Sequence, residues 1–110
     1  MRVYISGKIR NNPNYIEDFK QAEIWLKSKG YKDIINPTTA YGEEIENIFN
    51  DNEKLDFDLL LLSKCDAIFM AKNWQTSKGA KVELDFAKRH NKKIFYQELF
   101  GRNNRKKYED

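Results

Sequence analysis

The stretch Asn73-Trp74-Gln75-Thr76-Ser77-Lys78-Gly79-Ala80-Lys81-Val82-Glu83 decides the reading of this chain. An apolar run, Ala67-Ile68-Phe69-Met70-Ala71, precedes it, and a helix-patterned segment, Val82 to Arg89, follows. Strand, polar loop with a glycine, then helix is the arrangement that aims backbone N–H groups and a helix dipole at an anion. The spacing puts Glu83 in the first helical turn with Ala80 and Ala87 on its face. There the dipole holds a carboxylate ionised, as a nucleophile requires. An ordinary first-turn acid would occupy the same position, because Asp and Glu are common there.

Upstream, Val3-Tyr4-Ile5-Ser6 reads as a buried strand ended by Gly7 and followed by the polar loop Lys8-Ile9-Arg10-Asn11-Asn12-Pro13. Asn12 as cap and Pro13 as first residue open a helix. Its apolar stripe is Ile16, Phe19, Ala22 and Leu26, with Trp25 on the border, and Lys27-Ser28-Lys29-Gly30 closes it. Asp33-Ile34-Ile35-Asn36 is a second strand stopped by Pro37. Residues 38–52 are polar, with the acidic cluster Glu43, Glu44 and Glu46 and a few apolar anchors, Ile45, Ile48 and Phe49. They read as a loop or short mobile helix over the site, a lid. Lys54 to Lys64 is a helix dense in leucine (Leu59 to Leu62) and therefore well buried. Asp66, directly before the third strand, is a turn residue. Downstream, the helix runs from Ala80 to His90, Asn91-Lys92-Lys93 turns the chain, Ile94-Phe95-Tyr96 is a fourth strand, and a short helix follows from Glu98.

Alternation of strands and helices implies an α/β fold: a doubly wound, mostly parallel sheet of four to five strands in the order 2-1-3-4, with helices on both faces. Residues 1–100 make one domain and 101–110 a basic tail. The order opens a crevice between the first and third strands, outside their carboxyl ends. Ser6 to Arg10, Asn36-Pro37 and Trp74 to Glu83 all arrive there. Ser77 and Gly79 offer a hydroxyl and an unobstructed backbone at a helix N-terminus, and Lys8, Arg10 and Lys78 offer positive charge, a set that suits a phosphate. Trp74 and Tyr41 are candidates to stack on a planar base, a role that competes with ordinary core packing. Asp58 is the odd polar position at the apolar end of its helix. Facing Glu83, it would form a pair of carboxylates whose pKa values separate into an anion and a proton carrier. That division suits cleavage of a glycosidic bond. A solvated place near a helix start is the competing account of Asp58.

The 110 residues carry 20 basic and 17 acidic side chains, a net charge of +3. Four of the basic and two of the acidic ones lie in the last ten residues, so the body is nearly neutral and nucleic acid is not an expected partner. Cys65 is the single cysteine, which excludes an intrachain disulfide and reads as a small buried thiol. The start of the chain has no signal-peptide pattern, and no apolar run approaches a membrane span, so a cytoplasmic protein is expected. The one histidine, His90, has no cysteine or histidine near it, so no metal or other cofactor is expected. Phosphoacceptor signalling is disfavoured because the first strand ends in Ser6-Gly7 without an acidic cluster and the third carries no central Asp.

Three of these motifs resemble the nucleoside 2-deoxyribosyltransferase superfamily. Tyr4-Ile5-Ser6-Gly7-Lys8-Ile9-Arg10 resembles its opening strand and loop, closest to the Gly-Ser-Ile-Arg of the 2'-deoxynucleoside 5'-monophosphate N-glycosidases. Asp58 to Asp66 is similar to its Asp-x7-Asp segment, and Ser77-Lys78-Gly79-Ala80-Lys81-Val82-Glu83 to its Ser-x-Gly-x-x-x-Glu element. The stretch Trp74 to Ala80 with Glu83 and Ala87 also looks like small, often phage-borne, uncharacterised members. The resemblance covers residues 2–97 and implies Glu83 as nucleophile and Asp58 as assistant to the leaving base. Ser77 and Gly79 would hold a 5'-phosphate, and Gly7, Ile9 and Arg10 would wrap the nucleotide. It further implies a homodimer or higher homo-oligomer. Lys78 stands where nucleoside transferases often have Asp, which favours a phosphorylated ligand, and the loop Lys8 to Asn12 lacks the family's following glycines. A binding protein that sequesters a nucleotide-derived ligand without turnover is the alternative from another class.

Overall fold

In the computed structural model, which describes residues 1–40 and 42–97, the strands β1 (Arg2–Ser6), β2 (Asp33–Ile35), β3 (Ala67–Met70) and β4 (Lys93–Tyr96) form one sheet. Its order is β2-β1-β3-β4 and every pairing is parallel, as the alternating pattern requires. The helices are α1 (Tyr15–Ser28), α2 (Glu43–Ile48), α3 (Asp51–Ser63) and α4 (Lys78–Arg89), with a 3-10 turn at Trp74–Thr76. Tyr41, the side chains of Glu43 and Ile45, the short helix expected from Glu98 and the basic tail 101–110 lie outside the described residues.

The two central strands are buried on both faces, so their side chains divide by parity. Val3, Ile5, Ala67 and Phe69 pack with Phe19, Ala22 and Leu26 of α1. Tyr4, Ile68, Met70 and Tyr96 pack with Leu62, Ala80, Leu84 and Ala87 of α3 and α4. Trp25 stacks on Phe69 at 5.6 Å and closes the first layer. Cys65 is buried, and desolvation pushes its thiol up to about 11, leaving it an inert packing group. Asp66 accepts from the Arg2 amide at 2.8 Å and so anchors the turn into β3.

Sequence and structure part company at several helix ends and faces. α1 begins at Tyr15, not Pro13: Asn12 Oδ1 accepts from the Asn14 amide at 3.2 Å while its NH2 donates to the Lys8 carbonyl and to Asp18, closing a turn ahead of the helix. The buried stripe is therefore Tyr15, Phe19, Ala22 and Leu26, and Ile16 turns outward, half exposed. α3 begins at Asp51 rather than Lys54, set by a capping box in which Asn50 accepts from the Glu53 amide and Glu53 accepts from the Asn50 amide. Four successive leucines sweep most of a helical circumference, so they cannot all face the core. Leu62 is fully buried, whereas Leu60 is 59% exposed.

Helix ends place the loops that matter. α1 closes with Tyr31 donating to the Leu26 carbonyl and Gly30 to that of Lys27, with Gly30 at φ +97. α4 closes the same way, with Asn91 at φ 56 standing in for glycine. In a parallel sheet each crossover helix runs against the strands, so α3 and α4 both begin at the strands' carboxyl edge. Residues 38–52 contain a turn after Asn36 and then α2, tied to α3 by a Glu46–Lys54 ion pair of 3.0 Å.

Candidate functional site

Glu83 is buried where α4 packs against the first strand. α4 starts at Lys78 with Ser77 as its cap, Ser77 Oγ accepting from the Ala80 amide at 3.1 Å. Glu83 is consequently a second-turn residue, not a first-turn one, and it is only 6% exposed. Ala80, Leu84 and Ala87 share its buried side. Tyr4 Oη donates to one carboxylate oxygen at 2.5 Å and Ser6 Oγ to the other at 2.6 Å. Tyr4 and Ser6 are two apart on β1, so the pleat points both at α4.

The electrostatics differ from the sequence expectation. Burial dominates and pushes the Glu83 carboxyl up to about 7, while the Ser6 and Tyr4 hydrogen bonds pull it down. The helix dipole acts mainly within the first turn, so it does not hold this group ionised as expected. At neutral pH Glu83 is poised between acid and anion, the condition in which a carboxyl can accept or release a proton.

Asp58 is buried too, at 8% exposure, and lies mid-helix rather than at a solvated helix start. It precedes the core residue Leu62 by one turn and shares its face, and α3 packs against α4. The two buried acids thus belong to one layer of the molecule.

The remaining expected residues divide. Gly7 is buried and tightly hemmed: a Cβ there would meet Ala71 Cβ at 3.1 Å and the Phe19 ring at 3.2 Å. Gly79 faces open space, with nothing within 4 Å of a Cβ position. Lys8 is half-buried, while Ile9 (41% exposed) and Arg10 project from the same loop, Arg10 in an ion pair with Asp51. Lys78 is exposed at the first position of α4. The Asn36 side chain is engaged locally, donating to Glu23 and accepting from Thr38. Trp74 leans on Tyr96 at 5.7 Å, and its indole N–H is buried without a hydrogen-bond partner among the described residues. Its ring is therefore packed within the layer of α4 instead of standing free for a base.

A groove of about 340 Å³ lies elsewhere, between the outer face of α1 and the turn after β2, lined by Ile16, Lys20, Ile24, Asn36 and Thr38. It contains none of the buried acids. Among the described residues no group of three or more His, Cys, Asp or Glu is gathered to hold a metal ion. No helix among them is long and apolar enough to cross a membrane.

Tyr4 was not expected at the site. Its only signal was the two-residue offset from Ser6, because a tyrosine within a buried strand otherwise reads as packing.

A family model described as a domain of unknown function, DUF4406, matches residues 1–96. The chain belongs to this family. The DUF4406 match spans all four strands and every residue of the carboxyl-edge cluster. A search of curated proteins finds no match.

Proposed function

We propose that this DUF4406 protein is an N-glycosidase or base transferase of the nucleoside 2-deoxyribosyltransferase superfamily, acting on a (deoxy)nucleoside 5'-monophosphate. The observation that carries the proposal is the placement of Glu83: a buried carboxyl at the crevice end of α4, its two oxygens gripped by Tyr4 and Ser6. Two directed donors fix the carboxylate's orientation, and orientation is what a nucleophile aimed at one carbon needs. In the proposed reaction Glu83 attacks the anomeric carbon as the C–N bond breaks, and the base departs with a proton supplied by Asp58. Water then attacks the same carbon and releases Glu83, giving free sugar phosphate. A second base in place of water gives transfer. Gly79, open at the start of α4, lets a phosphate approach the backbone, with Ser77, Lys78, Lys8 and Arg10 around it. Gly7 and Ile9 would line the nucleotide from the β1 side.

The direct test is Glu83→Gln assayed by chromatography for free base from each of the common nucleoside monophosphates. Base release should vanish while the thermal unfolding transition persists; undiminished release would remove Glu83 from the chemistry.

One observation favours the non-catalytic alternative. A carboxyl that burial pushes up to about 7 and that already accepts two hydrogen bonds is well suited to recognition without attack. On that reading calorimetry shows tight nucleotide binding and chromatography shows no free base. A homo-oligomeric assembly and a cytoplasmic setting belong to the same proposal, and analytical ultracentrifugation tests the first.

A further inference from the structure

We infer that Asp51 is a built-in competitor for the ligand's phosphate at Arg10, a latch that an arriving anion must displace; the inference rests on the nucleotide-binding reading above. Arg10 stands in the loop that leaves β1 at the carboxyl edge, and its guanidinium pairs with Asp51, the first residue of α3. Because α3 begins at that edge and packs on α4, the pair lies on the side of the sheet where α4, the helix of Glu83, also begins.

Three features make the pair exchangeable. Both side chains are mostly exposed, 74% and 70%, and exposed ion pairs are weak. Asp51 lies in the first turn of α3, where the helix N-terminus stabilises a carboxylate, so it tolerates loss of the cation. The loop itself is braced independently, by Asn12 donating to Asp18 and by an Asp18–Lys72 ion pair of 3.5 Å, so Arg10 can change partner while its backbone stays in place. A phosphate monoester offers Arg10 the same two parallel hydrogen bonds that a carboxylate can, but with more negative charge. Asp51 thus parks Arg10 at the opening and weakens the capture of anions.

The test is a mutant cycle in the Glu83→Gln background, which prevents turnover. Asp51→Asn, Arg10→Ala and the double variant are titrated calorimetrically with the four deoxynucleoside monophosphates and with deoxyadenosine. Asp51→Asn should bind the monophosphates about two- to fivefold more tightly at low salt, the range open to an exposed pair. The gain should shrink at 0.5 M salt, where exposed charges are screened within about 4 Å, vanish in the Arg10→Ala background and be absent for deoxyadenosine. Unchanged or weaker monophosphate binding by Asp51→Asn, or an equal gain without Arg10, overturns the latch alone. Absence of monophosphate binding in all four proteins overturns the latch together with the nucleotide reading.

Discussion

Tyr4 and Glu83, 79 residues apart in the chain, meet in a buried hydrogen bond of 2.5 Å that joins β1 to α4. With the Ser6 bond beside it, this contact offsets part of the cost of burying a carboxyl and decides how much of it is ionised. Several consequences can be measured.

Activity should rise with pH through about 7. On the proposed mechanism Glu83 attacks as an anion, and its carboxyl is pushed up to about 7, so the acidic limb of kcat/KM against pH should belong to it. A limb near the ordinary carboxylate range would mean that Glu83 is not the group being titrated.

Tyr4→Phe removes a donor that pulls the Glu83 carboxyl down, so that limb should move upward by about one pH unit, the size expected for one charge-assisted bond. The plateau rate should fall less than the rate at pH 6. Ser6→Ala should act in the same direction, and a uniform loss at every pH would instead assign these hydroxyls a purely architectural part.

Stability carries the opposite sign from activity. The folded protein holds the Glu83 proton more tightly than the unfolded chain does, so between the ordinary carboxylate range and pH 7 the native state binds more protons. Stability therefore falls as pH rises through that window, by roughly 3 kcal/mol, and levels off above it. In denaturant titrations Glu83→Gln should lose this slope and exceed the parent in stability at pH 8.

The two glycines should respond differently to alanine. Gly7→Ala presses on Ala71 and Phe19 and should cost about 1–3 kcal/mol. Gly79→Ala meets open space within a helix and should be neutral or stabilising by up to about 1 kcal/mol, yet weaken monophosphate binding by screening the backbone. Equal binding in Gly79→Ala would move the phosphate elsewhere.

How much of this was legible beforehand depended on whether the pattern was local. Val3 to Ser6 and Ala67 to Ala71 announced buried strands, and alternation with helices announced parallel pairing, since parallel neighbours need crossovers; the order 2-1-3-4 was one of several that alternation allows. Gly30 marked a helix end correctly because only a left-handed residue completes that cap. The start of α3 was equally visible in Asn50-Asp51-Asn52-Glu53, but the polar run around it masked the capping box. Asn12 and Ile16 misled for a local reason: the Asn12 side chain closes a turn onto the Asn14 amide, the Lys8 carbonyl and Asp18 ahead of the helix, and Ile16 lies on the outer face of α1. Tyr4 was hidden because sequence reveals that a side chain is buried, not that its hydroxyl will find an acid on a distant helix.

The sheet also separates the two tryptophans. Trp25 stacks on Phe69 in the layer of α1, and Trp74 leans on Tyr96 in the layer of α4, next to the loop that leads to Ser77. Replacing Trp25 by phenylalanine would thus leave Trp74 as the single tryptophan, excited apart from the tyrosines at the red edge of the absorption band. Emission from that lone indole would give an optical titration of occupancy, with no label attached.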